Sequence, residues 1–120
     1  MAGKILVVGS LHLDVIVHSS RLPKPDETLL GDNVSYRFGG KGGNQAVAAA
    51  KIDVQVFMAG RIGTDNFGKQ IYDTLSNQNI NLDGLKMVDE ATGMSVALIG
   101  SDGIYCAVVV SGANQTIDLS

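Results

Sequence analysis

The sequence has a single cysteine, Cys106, no tryptophan and only two prolines. A lone cysteine excludes an internal disulfide and any cysteine-based metal site, and it fits a reducing compartment. Three Tyr and three Phe are the whole aromatic complement, so there are few platforms on which nucleic-acid bases would stack. Cationic excess is also missing. Nine Lys and Arg against 12 Asp and Glu leave a formal charge of −3, which gives no electrostatic footprint for nucleic acid. No apolar stretch approaches the roughly 20 residues that span a bilayer. The run at residues 5–11 is short and is followed at once by His12 and Asp14, so it reads as a buried first strand and not as a signal sequence. These absences lead us to expect a soluble, cytoplasmic protein with no membrane or nucleic-acid partner.

What is present is enough apolar material for one domain: 120 residues, 45% of them hydrophobic. Fifteen glycines are about twice the ordinary share of roughly 7%, which marks turns and places where backbone approaches a ligand closely. Residues 4–8 form a continuous aliphatic run of the kind covered on both faces in a parallel sheet. Residues 15–17 continue extended, and Leu22-Pro23-Lys24-Pro25 interrupts as a loop or edge. Residues 28–38 read as one or two short strands, with Val34, Tyr36 and Phe38 alternating with polar neighbours.

The spacing then predicts a glycine loop at 39–43, an Ala-rich helix over 44–52, a strand over 54–59 and a turn at 60–63. A second helix over 66–78 follows, capped by Thr64 or Asp65, with Phe67, Ile71 and Leu75 on one face. Asp53 and Asn79 stand past the two helices, where left-handed backbone favours Gly or Asn. Strands are expected over 85–88, 93–100 and 104–111, with Ser101-Asp102-Gly103 as a tight turn. The β-α-β-α opening is the α/β pattern, and the strand-rich remainder implies a second, small sheet from about 15–38 and 93–110. A three-element parallel sheet has an unprotected edge and incomplete burial, so the chain is expected to be part of a domain.

The candidate site begins with Gly39-Gly40-Lys41-Gly42-Gly43-Asn44-Gln45-Ala46. Glycines there remove side chains where backbone N–H groups and a helix N-terminus converge, a place for hydroxyl or anionic oxygens. The stretch fails the dinucleotide fingerprint, because Gln45 stands where the third Gly belongs. It also fails the P-loop, which needs Ser or Thr after Gly-Lys. Glycine content alone fits a flexible turn equally well; Lys41 and Asn44 favour a ligand site. Asp14 is expected just beyond the first strand's carboxyl end, where α/β sheets bind ligands, and its carboxylate can accept from two neighbouring hydroxyls. His12, two residues earlier, shares its side of an extended chain. No second cluster of ligands supplies a metal pattern. Arg61 reads as solvated, the Met residues at 58, 87 and 94 as core or sheet packing, and Cys106 as a small apolar strand residue.

Taken in order, these residues resemble the ribokinase-like (PfkB) carbohydrate kinase family. The similarity is carried by Gly9-Ser10-Leu11-His12-Leu13-Asp14, Leu22-Pro23-Lys24-Pro25-Asp26-Glu27-Thr28 and the Phe38–Ala50 signature. Gly63-Thr64-Asp65-Asn66-Phe67-Gly68, Thr92-Gly93-Met94 and Gly112-Ala113-Asn114 continue it in the same order. The resemblance implies a doubly wound α/β body with a β-sheet lid, a sugar held between them, and dimers formed through the lid with residues 104–110 supplying a strand. It implies that His12, Asp14, Gly40, Lys41, Gly42, Gly43 and Asn44 line the sugar site. His12 stands where the family commonly has Asn, which leaves the choice of sugar open. ATP and Mg²⁺ are implied cofactors, with a monovalent cation as a further implied ligand. The family's Gly-x-Gly-Asp catalytic turn occurs nowhere in this sequence, so no catalytic residue is assigned here. A full-length sugar kinase acting on ribose or a related sugar is expected. The alternatives are a non-catalytic sugar-binding or dimerising module and, against the failed fingerprint, a dinucleotide-dependent oxidoreductase.

Overall fold

The computed structural model describes residues 3–117. Its elements run β1 (Gly3–Val8), β2 (His12–Ser19), β3 (Asn33–Gly39), α1 (Lys41–Ala50), β4 (Val54–Gly63), α2 (Asn66–Ser76), β5 (Asn81–Val88), β6 (Met94–Gly100) and β7 (Tyr105–Val110). A 3₁₀ turn, Gly112–Thr116, follows. Strands β1, β4 and β5 form a parallel sheet in the order β1-β4-β5. Parallel neighbours need long crossovers; α2 makes the one between β4 and β5. The longer path from β1 to β4 contains β2, β3 and α1. Helix α1 packs on β1 and β4, and α2 on β4 and β5. Val7, Val56, Met58, Ile62, Ile71, Leu75 and Ile80 are buried between these layers, joined by Leu11, Leu13 and Ala46.

The second sheet has the order β3-β2-β6-β7, antiparallel at both outer pairs and parallel between β2 and β6. Its register sorts side chains cleanly, because alternate residues of a strand face opposite ways. Val15 pairs with Tyr36 and Val96, and Val96 in turn with Val108, giving one apolar face. Asp14 pairs with Arg37 and Ser95 on the other. The apolar face is open to solvent at Val34, Tyr36, Val96, Val108 and Val110. The α/β class with a parallel sheet and a second small sheet is therefore the one observed.

Several local expectations change. Helix α1 begins at Lys41 and not Asn44, so Gly42 and Gly43 belong to its first turn. Strand β4 continues through Gly60–Gly63, where a turn was expected, because Arg61, Ile62 and Gly63 find partners in Lys86, Met87 and Val88 of β5. Residues 28–31 are not strand; the chain pairs only from Asn33. Asn79 is left-handed at φ 59°, whereas Asp53 is absent from the positive-φ residues and Asp26, at φ 62°, takes that conformation. Arg61, expected in solvent, is 7% exposed, carried inward by the extension of β4. Met58 is core, but Met87 is exposed. Cys106 lies in β7 and is exposed. No helix among the described residues is long and apolar enough to cross a membrane.

Candidate functional site

The site is built where the β1–β2 connection meets the start of α1. Gly40 has φ 92°, a conformation that strains any side chain. A Cβ there would lie 2.6 Å from Ser10 O and 3.0 Å from His12 N. One at Gly42 would lie 2.7 Å from Gly9 C. Gly43 completes the approach by donating its N–H to Ser10 O at 3.1 Å, which satisfies one of the amides a helix start leaves without an intrahelical partner. The glycines thus let two stretches of main chain touch.

Around this contact lies an open cleft of about 520 Å³, lined by Ser10, His12, Gly40, Lys41, Asn44, Ser111 and Asn114. That volume is in the range of small-molecule sites. Its side chains are hydroxyls, amides, an imidazole and an ammonium, with no carboxylate among the lining residues. Of the seven residues proposed from sequence, His12, Gly40, Lys41 and Asn44 line the cleft. Gly42 and Gly43 are buried beneath it, against Gly9 and against Phe38 and Leu11 respectively, so they shape the cleft and do not face it.

Asp14 also differs from expectation. It does not follow the parallel sheet's first strand directly but lies inside β2, in the small sheet. Alternation puts it on the same face of β2 as His12, and Ser95 Oγ donates to its Oδ1 at 2.7 Å. The absence of a side chain at Gly39 leaves the space its carboxylate fills.

Sequence reading assigned no role to Ser10, Ser95, Ser111 or Asn114. Asn114 makes the most connections: Leu11 N donates to its Oδ1 at 2.9 Å, and its Nδ2 donates to Leu11 O at 2.9 Å and Ser111 O at 3.0 Å. An Asn directly after a strand and Gly-Ala is the one signal that pointed to it.

A second polar cluster supports the fold nearby. Asp65 caps α2 by accepting from Gly68 N at 2.8 Å. It also accepts from Thr92 Oγ1 at 2.5 Å and Thr92 N at 3.0 Å, while Gly63 N donates to Thr92 Oγ1 at 2.8 Å. Partial burial works to raise the Asp65 carboxyl, but the hydrogen bonds from Thr92 and Gly68 outweigh it and hold the group below its ordinary value. Among the described residues no cluster of three His, Cys, Asp or Glu side chains could hold a metal ion. These residues offer no donor set that fits Mg²⁺.

Comparison with known proteins gives a consistent picture. A family model described as pfkB family carbohydrate kinase matches residues 2–119. Ribokinase of Bacillus subtilis is 39% identical over 113 residues, covering 94% of this chain and 39% of its own length. The structure of Arabidopsis thaliana ribokinase complexed with ribose and ATP superposes with a TM-score of 0.89 at 38% identity, over 95% of this chain and 38% of that one. Ribokinase from Cryptococcus neoformans in complex with ADP gives a TM-score of 0.88 at 36% identity, over 99% of this chain and 38% of that one. The chain thus spans less than two fifths of the length of these relatives.

Proposed function

This chain belongs to the pfkB family of carbohydrate kinases, and from that premise we propose that it is the N-terminal portion of an ATP-dependent sugar kinase. Its substrate would be ribose or a closely related sugar, phosphorylated on a primary hydroxyl. The observation that carries this reading is the meeting of His12, Gly40, Lys41 and Asn44 around one polar cleft, with Asp14 one pleat further along β2. A sugar presents several hydroxyls, each both donor and acceptor. A site for it needs fixed groups of both kinds, and Lys41, Asn44, His12 and Asp14 supply them.

In this reading the described residues bind and orient the sugar. Asp14 keeps acceptor capacity beyond its bond from Ser95 and accepts hydrogen bonds from hydroxyls of the sugar. Asn44 offers an amide that donates and accepts. The start of α1 presents main-chain N–H groups to hydroxyl oxygens. Gly40 and the buried Gly42 and Gly43 let backbone come close enough to do so. Phosphoryl transfer, which depends on positioning and charge stabilisation, belongs to the remainder of the protein, as do the ATP, Mg²⁺ and monovalent-cation elements. His12 bears on the choice of sugar, because imidazole differs from the family's usual Asn in size and donor geometry. The protein would act in the cytoplasm. A second copy of the chain would cover the apolar face of the small sheet, where β7 is exposed along its whole length.

The test is an assay of the full-length protein for ATP-dependent phosphorylation of a panel of pentoses, with Asp14→Ala as the companion variant. Turnover of ribose or a close relative is expected. Removing one charged hydrogen-bond partner should raise the sugar KM by about ten- to hundred-fold. Sugar binding without ADP production would establish the non-catalytic module, and unchanged affinity in Asp14→Ala would remove that residue from the site.

A further inference from the structure

We propose that Asn114 is a positioning residue for the sugar cleft, fixing the segment that carries Ser10 and His12. This rests on the sugar-kinase reading above. The Asn114 amide acts as a stand-in for a neighbouring strand. It accepts from Leu11 N at 2.9 Å and donates to Leu11 O at 2.9 Å, so one side chain satisfies both main-chain polar groups of Leu11. Leu11 lies between β1 and β2, where no strand of either sheet pairs with it. Its side chain is 0% exposed. The core therefore holds the residue from one side and the Asn114 amide holds it from the other.

Gly93 closes the arrangement. A Cβ at that position would collide with Asn114 Nδ2 and His12 Cδ2 and would lie 2.8 Å from Leu11 O. Gly93 O also accepts from Leu13 N at 3.0 Å. The Asn114 amide and the His12 imidazole thus both lie against the bare face of Gly93.

The chain distance gives this contact its functional meaning. Asn114 belongs to the 3₁₀ turn that follows β7, the last strand of the small sheet. Leu11 belongs to the connection leaving the parallel sheet. The bond between them spans 103 residues and joins the two halves of the cleft lining, Ser10 and His12 on one side and Ser111 and Asn114 on the other.

The role requires an amide, which accepts from Leu11 N and donates to the carbonyls of Leu11 and Ser111. Aspartate keeps an acceptor for Leu11 N but turns its second oxygen toward the carbonyls of Leu11 and Ser111. Leucine has a similar shape and no polar atoms. Steady-state kinetics of the full-length protein with sugar and ATP test the role. Asn114→Asp and Asn114→Leu should each raise the sugar KM by about tenfold, the worth of roughly one or two neutral hydrogen bonds. The KM for ATP and kcat should stay within about twofold, because the loss falls on sugar binding. Unmoved sugar KM in folded variants overturns the assignment, and so does a parallel loss in kcat and both KM values.

Should the variants fail to fold, amide exchange at Leu11 in the unaltered protein gives the same answer. Ribose should slow that exchange by ordering the Leu11–Asn114 pair, and unchanged exchange under saturating ribose overturns the proposal. A wild-type protein that phosphorylates no sugar refutes the kinase reading and takes this assignment with it. Normal wild-type turnover with unaffected variants refutes the role of Asn114 alone.

Discussion

Replacing Gly42 with alanine sets two effects against each other, and their sizes decide the sign. Gly42 lies in the first turn of α1, where glycine is disfavoured relative to alanine by about 0.5–1 kcal/mol. Propensity alone therefore predicts a more stable protein. The added Cβ, however, would lie 2.7 Å from Gly9 C, 2.8 Å from Gly9 Cα and 2.9 Å from Ser10 N. Carbon atoms prefer about 3.5–4.0 Å, so helix and loop must separate by roughly 0.8 Å. The opposing atoms are main chain, and the following residue, Leu11, is held by Asn114, so no rotamer change relieves the contact. Overpacking of this kind costs about 1–3 kcal/mol. A net destabilisation of up to about 2.5 kcal/mol, centred near 1, follows from the difference.

Urea denaturation of the full-length protein measures it, and the sugar KM should rise because the displaced loop carries Ser10 and His12. Gly43→Ala supplies the comparison. Its Cβ would meet the Phe38 ring at 2.5 Å and Leu11 Cδ2 at 3.0 Å, side-chain atoms that can move, so this variant should cost less. A Gly42→Ala protein that gains stability, or that loses less than Gly43→Ala, would refute the argument from main-chain contact.

Three further outcomes are expected. Thr92→Val removes the hydroxyl that joins Asp65 to Gly63 N and leaves a buried N–H without its acceptor, at a cost of about 1–3 kcal/mol; a thermal-shift or urea measurement showing no loss would contradict it. The Arg21 guanidinium, hydrogen-bonded to Glu27 at 2.6 and 2.8 Å, is the main cause holding the Glu27 carboxyl down to about 2 from its ordinary 4.5. A depressed carboxylate contributes stability above its unfolded value and loses it as pH falls through the folded one, so the loop at residues 21–27 should loosen between about pH 4.5 and 2. A carboxyl titration of Glu27 by NMR with a midpoint near the ordinary value would count against this. If the dimer proposed through the open apolar face of the small sheet forms, Val108→Lys should give monomers, read by sedimentation or light scattering of the full-length protein; a monomeric unaltered protein, or a variant that stays dimeric, would refute that interface.

Local chemistry made much of this protein legible from its residues alone. The alternation in β3 and the Phe67, Ile71, Leu75 stripe of α2 follow from the periods of strand and helix; the aliphatic run of β1 was legible as a strand, but one of the two faces expected to be covered is open at Leu6 and Val8. Legible too were a cap at Thr64 or Asp65, which the structure gives to Asp65, the left-handed Asn79 and the turn at Gly103, because each depends on a few neighbouring residues. Gly40, Lys41 and Asn44 were visible as a candidate site because one short segment carries them, and they line one cleft.

Other features were set by partners distant in the chain. Gly60–Gly63 reads as a turn until β5 is present to pair with it, and the same pairing carries Arg61 inward. Asp14 reads as a loop carboxylate until β6 lies beside β2 and Ser95, 81 residues away, donates to it. Gly42 and Gly43 read as ligand glycines until the backbone of Gly9 and the ring of Phe38 are brought against them. By itself the sequence determined the order and type of the main helices and strands and where backbone must come close, since those depend on spacing and on the absence of side chains; several of their bounds waited on distant partners. The tertiary structure alone decided which groups share the cleft and that Asn114 holds Leu11 across 103 residues, because a hydrogen bond between distant segments has no signature in the local order of either.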